Sequence, residues 1–312
     1  MRRGGDGVVF TPRTIGTVVC GLAALAGLLS LWATLNVGSR GSRDQQSDGA
    51  DGGGINELFA ESLPGHLKEV QTLYVIPGGG SGAGVEGVDK NYPEWTRRRV
   101  IAAHDHSKKN PPGNHKHALF LALSAGSLNT PNALREDGRV KFECQHTMEH
   151  LAELGVPRYA ILGDFMSWDT ITNALYLRMV ISGLLAAQKT AQPQLKGSAA
   201  RTKPLDVQVF ISDFHADRVQ AAFNWVLGLR PSILPLVQVT VNKVSSEGIS
   251  WPNKESFESR LAHEVKGVEQ IKANERMIRS VQELYAFLAL GPHQGFFKYL
   301  QGELPGKKGQ GW

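Results

Sequence analysis

Residues 212–218, Ser-Asp-Phe-His-Ala-Asp-Arg, carry the most chemically suggestive spacing in the chain. His215 follows an alternating apolar run at 207–211 and opens an amphipathic stretch, with Arg218 three residues later on the same helical face. A guanidinium offers two parallel donors to a phosphate or carboxylate, and an imidazole near neutral pH donates or accepts a proton. Asp213 is placed to hold that imidazole in one tautomer. The alternative is a histidine that caps and packs a helix start beside a solvated arginine.

A second candidate lies at 73–80, Leu-Tyr-Val-Ile-Pro-Gly-Gly-Gly. A short apolar run ending in glycines hands a buried strand to a tight loop, where backbone amides can cradle an anion. Gly78, Gly79 and Gly80 fit neither the GxGxxG dinucleotide fingerprint nor the GxxxxGK[ST] phosphate loop, so a plain tight turn stands as the alternative. More candidate ligand- or anion-binding residues follow other apolar runs: Ser124 with Gly126, Asp164 with Ser167, and Thr170 with Asn173. Ser167 and Thr170 suit helix capping, and Asp169 or Ser167 can cap the helix that follows. Glu143 and Asn173 bring a carboxylate and an amide to the same rim, where the partner is a ligand or a neighbouring loop. Arg99, one helix after the glycines, either reaches a bound anion or is solvated.

Other chemistries find less support. His104, His106, His115 and His117 surround a Pro-rich loop without helical ligand spacing and read as surface residues. No HExxH motif occurs, and the two cysteines, Cys20 and Cys144, make neither a zinc site nor a disulfide within the soluble part. No metal site is therefore expected. Ser124 lacks the preceding glycine of a GxSxG nucleophile elbow. The net charge of +5 is spread along the chain, so a nucleic-acid partner is not expected either.

The elements that position these residues alternate. Strand-like runs at 72–76, 118–123, 159–162, 207–211 and 236–241 are separated by helical patterns at 93–109, 143–154, 167–185 and 215–227, and a further helical region covers 254–290. Such alternation predicts an α/β fold: a doubly wound, mostly parallel sheet of about five strands in three layers, with extra C-terminal helices packed on the sheet. Its polar loops converge on the rim where open parallel sheets bind ligands.

At the N-terminus, 15–35 is uncharged and apolar over about the 20 residues that a membrane-spanning helix needs. Arg2, Arg3 and Arg13 precede it, so a cytosolic N-terminus and an extracytoplasmic or lumenal α/β domain are expected. A cleaved signal peptide is the rival, although the apolar stretch exceeds the roughly 7 to 15 residues of its hydrophobic region. The expected order is a tail at 1–14, the anchor at 15–35, a Gly/Ser/Asp-rich linker at 36–66, the α/β domain at 67–302 and a loose tail at 303–312.

The ordered motifs resemble a family. Val75-Ile-Pro-Gly-Gly-Gly80, Arg99 with Ala103, Leu123-Ser-Ala-Gly126, Glu143, Gly155-Val-Pro157, Ser167 through Ala174, and Ser212 through Arg218 are similar to the YdcF-like (SanA/ElyC-type) domain of unknown function. The insert at 129–138 and the helical C-terminal region look like its larger, mainly eukaryotic branch. The resemblance implies a Rossmann-like fold behind an N-terminal membrane anchor and singles out His215 and Arg218, but implies no reaction. Residues and resemblance together lead to the expectation of an enzyme acting on a phosphate-bearing small molecule: a nucleotide, a sugar phosphate or a lipid-linked glycan. The alternative is a non-catalytic module binding a nucleotide or adenosyl cofactor at the membrane.

Overall fold

Five short apolar runs form one parallel sheet: β1 (Thr72–Ile76), β2 (Ala118–Ala122), β5 (Ile161–Gly163), β6 (Leu205–Ser212) and β7 (Val237–Val244). Their spatial order is β5-β2-β1-β6-β7, and every pairing is parallel. In the computed structural model the described residues are 65–79, 92–109, 117–127, 132–134, 139–191, 203–249 and 254–290. The chain divides into two units, Met1–Leu63 and Pro64–Trp312, and all of these residues lie in the second. The expected anchor, most of the linker, and the C-terminal tail lie outside the described residues.

Parallel pairing requires crossovers, supplied by α1 (Glu94–Lys109), α2 (Glu143–Glu153), α3 (Thr170–Ala191) and α4 (Ala216–Gly228). Successive strands step outward from β1 to β2 to β5, then return to β6 on the other side of β1. With right-handed crossovers this places α1 and α2 on one face and α3 and α4 on the other. The central β1 faces helices on both sides, so nearly all of it is apolar and buried. On the α1 face, Tyr74 stacks on Phe120 with ring centroids 4.9 Å apart, and Val100, Leu151 and Phe210 complete the cluster. Each such side chain contributes roughly 1.5–3 kcal/mol by leaving water.

Helix ends follow their sequence signals. The α2 helix stops at Gly155, whose φ of +90° is readily open only to glycine. For α3, Asp169 accepts the Thr172 amide at 2.8 Å, so Asp169 rather than Ser167 is the cap. Thr170–Lys189 within α3 is long and apolar enough to cross a membrane, yet half of it is buried inside the molecule. Its buried Arg178 donates to the carbonyls of Val226 and Leu227 on α4, as suits a crossover helix in a protein core.

Two expectations need correction. The polar stretch at 129–139 contains part of a two-residue antiparallel ribbon, β3 (Ala133–Leu134) with β4 (Val140–Lys141), which is too short to show a sequence period. The C-terminal helices α5 (Lys254–Met277) and α6 (Val281–Leu290) were expected on the sheet, but α5 packs mainly on α4 and on the 3₁₀ turn Asp213–His215. That placement brings α5 to the sheet rim.

Candidate functional site

The direction of winding reverses between β1 and β6, and a crevice at the carboxyl ends of the strands is the expected ligand position for such a sheet. A cleft of ≈ 430 Å³ lies there, within the size range of small-molecule sites. Its lining brings together Gly78, Gly79, Ser124, Gly126, Glu143, Thr170, Asn173, His215 and Arg218, and adds Arg260 and His263 from α5. Gly80 and His115 lie outside the described residues.

The loops of one wall are fastened to one another by backbone groups. Leu123 N donates to Ile76 O, Ala125 N to Ser167 O, and Cys144 N to Ser124 O. Asp164 is fully buried and accepts the amides of Ser124, Met166 and Ser167 and the hydroxyl of Ser167. Burial pushes its carboxyl up, against the pull of these donors. Asp164 and Ser167 therefore hold the wall together from behind the cleft surface, a correction to their expected ligand contact. Ser124 itself sits at φ 87°, a costly backbone conformation for a non-glycine residue.

The glycines have a steric reason. A Cβ at Gly78 would collide with Ser124 and stand 2.5 Å from Glu143 Oε2, and one at Gly79 would stand 2.6 Å from Trp95 Nε1. Their amides donate to no described residue and line the cleft. Arg99 must be corrected from anion ligand to clamp. It is 1% exposed, and its Nε donates to Ser212 Oγ at 2.9 Å while Nη1 donates to the carbonyls of Pro77 and Gly78. Burial lowers its pKa to about 9, so it remains a cation at neutral pH, tying the β1 loop to the β6 end.

The opposite wall is ionic. His215 Nδ1 lies 2.6 Å from Glu264 Oε2 on α5, and both side chains are nearly inaccessible. A carboxylate at that distance assigns the proton to Nδ1, which leaves Nε2 as the acceptor; Nε2 has no hydrogen bond among the described residues. Burial drives His215 well below the ordinary imidazole range. Burial alone would raise the Glu264 carboxyl, but the hydrogen bond from His215 and the charges of Arg218 and Arg260 outweigh it and keep Glu264 ionised.

The expected Asp213–His215 pairing is not present. Asp213 is exposed and accepts from Ser246 and from the Phe214 amide, because the 3₁₀ turn directs neighbouring side chains apart.

Arg218 Nε and Arg260 Nε stand 2.7 and 2.8 Å from Glu264 oxygens, close enough for ion pairing, yet neither N–H is aligned for a hydrogen bond. The remaining contacts of Arg218 are long, 3.3 Å to His215 Nδ1 and 3.5 Å to His263 Nε2. The outer nitrogens of Arg260 donate to no described residue. Two guanidiniums facing a cleft and sharing one carboxylate suit an anion. Gly267 lets Arg218 cross α5, since a Cβ there would strike Arg218 Cδ.

Sequence reasoning missed Arg260, His263 and Glu264, although their spacing with Gly267 puts all four on adjoining positions of one helical face. The isolated glycine inside a charged helix was the available signal. The histidines expected at the surface divide: His104 is buried and His106 meets the Phe210 ring edge-on, while His117 is half-buried. Among the described residues no cluster suited to a metal ion occurs. Comparison of the chain with protein-family models, curated proteins and solved structures returned no match.

Proposed function

We propose that this protein is a membrane-anchored enzyme that performs acid–base chemistry on a phosphate-bearing substrate, such as a nucleotide, a sugar phosphate or a lipid-linked glycan. The observation that carries the reading is the His215–Glu264 contact of 2.6 Å beside two incompletely paired arginines at the switch-point cleft. Arg218 and Arg260 hold the anion. His215 Nε2 accepts a proton from a substrate hydroxyl or a water, and the imidazolium that forms is stabilised through Nδ1–H by Glu264. Glu143, also lining the cleft, takes the complementary proton step. The apolar stretch 15–35 serves as the anchor, and the ordered motifs resemble those of the YdcF-like group.

One observation favours the second reading, a non-catalytic nucleotide or adenosyl-cofactor module: an imidazole shifted far below neutral is a weak base. Turnover of His215→Gln against a panel of phosphate esters separates the two. The enzyme reading expects kcat to fall by about 10²–10⁴-fold while inorganic phosphate still binds. Undiminished turnover in that variant would sink it, and saturable binding without any turnover selects the second reading.

A further inference from the structure

The two ends of the cleft differ in the hydrogen-bonding groups they offer. The α5 end offers cationic donors, Arg218 and Arg260. At the Gly78 end the carboxylate of Glu143 lies against the glycine, 2.5 Å from where a Cβ would stand. A phosphate seated in the glycine loop would meet that carboxylate at contact distance, and like charges in a half-enclosed site repel strongly. The anion therefore belongs at the arginine end, and the glycine end takes a neutral part of the ligand.

Asn173 reinforces this polarity. Ser167 Oγ contacts both Asp164 Oδ2 and Asn173 Oδ1. A hydroxyl has one proton, and the carboxylate, already receiving three backbone amides, takes it. The Asn173 amide therefore pairs with Ser167 in the flipped sense, NH₂ toward the hydroxyl, which leaves its carbonyl oxygen as an acceptor for a ligand. Glu143 and Asn173 both present acceptors, while the amides of Gly78 and Gly79, which donate to no described residue, offer donors beside them. Of the common neutral groups, a hydroxyl can answer both kinds of partner, since it donates and accepts at once.

We propose that the substrate is a polyhydroxylated phosphate, with its phosphate between Arg218 and Arg260 and its sugar hydroxyls on Glu143, Asn173 and the Gly78–Gly79 amides. This rests on the reading of the arginine end as the anion site.

Calorimetric titration of the full-length protein with four probes tests it: inorganic phosphate, butyl phosphate, ribose 5-phosphate and glucose 1-phosphate. At least one sugar phosphate is expected to bind roughly tenfold to a hundredfold tighter than butyl phosphate, the range for hydrogen bonds to a charged acceptor. Glu143→Gln should collapse that advantage without weakening inorganic phosphate, and Arg260→Gln should weaken all four probes alike. Sugar phosphates no tighter than butyl phosphate, or an advantage that survives Glu143→Gln, would overturn the hydroxyl assignment and leave the anion site standing. Inorganic phosphate weakened by Glu143→Gln would put the anion at the glycine end and overturn it too. If no phosphate binds, or Arg260→Gln leaves phosphate untouched, the anion reading falls and this inference with it.

Discussion

The two walls of the cleft are built by different physics. The sheet wall is made of strand-end loops whose positions are fixed by backbone hydrogen bonds, close-packed glycines and the buried cation of Arg99. The α5 wall comes from one helix outside the sheet and is held by charges: Glu264 serves His215, Arg218 and Arg260 at once. Close packing and bonds to backbone give a wall that fails on changes of shape and on loss of a buried clamp such as Arg99. A shared carboxylate gives instead a wall that tolerates small changes of shape and fails when one charge is lost.

The strongest way to break this contrast is Glu264→Ala, which leaves two half-buried arginines without a counter-charge. It should lower stability by about 3–5 kcal/mol in urea unfolding, with Glu264→Gln recovering only part because the charge is still missing. A loss below about 1 kcal/mol would show that the arginines find other partners. Arg99→Met comes next. It strands the carbonyls of Pro77 and Gly78 and should destabilise by about 2–4 kcal/mol, loosening the sheet wall while α5 keeps its ion pairs.

Gly78→Ala is a pure test of shape, inserting a methyl group between Ser124 and Glu143. An expected loss of about 1–3 kcal/mol, with weakened binding of any ligand of the cleft, marks it as overpacking. Gly267→Ala on α5 sharpens the comparison by its smallness in stability. The helix gains roughly 1 kcal/mol of propensity, which offsets displacement of the flexible Arg218 side chain, so phosphate affinity should fall while the midpoint of unfolding hardly moves.

The mildest effect is on pH dependence. His215 is held neutral by burial, so below the ordinary imidazole pKa of about 6.5 the unfolded chain binds a proton that the folded chain refuses. Stability should fall as the pH drops from that point. The depressed Glu264 carboxyl adds a loss of the same sign below about pH 4.5, the ordinary range of glutamate. His263, lowered by burial and by Arg218, shares the first slope. His215→Gln should make the decline between pH 6.5 and 5 shallower without removing it, and an unchanged slope would show that His215 is not buried neutral.

Much of the sheet wall was legible in the sequence, because apolar runs followed by small polar residues mark strand ends wherever they fold. Thr72–Ile76 and Ala118–Ala122 fall where the apolar runs predict, and Gly78, Ser124, Asn173 and His215 reach one cleft as the strand-end rule requires. Asp213 misled because adjacency in sequence is not adjacency in space within a 3₁₀ turn. Arg99 misled because a lone arginine on an amphipathic helix carries no mark that three acceptors await it in the core. Glu264 was hidden for a third reason. Its helix is charged along much of its length, and only the docking of α5 on the Asp213–His215 turn distinguishes the one buried carboxylate from its solvated neighbours.

The distance along the chain between His215 and Glu264 also orders events as the polypeptide is made. All five strands of the sheet have left the ribosome once Val244 has emerged, before the first residue of α5. In that interval the nascent domain already holds His215 and Arg218 at the rim with no carboxylate to receive them. Docking of α5 comes only after the sheet, and a chain stalled or cut before Lys254 would display a cationic, unfinished crevice on an otherwise complete sheet.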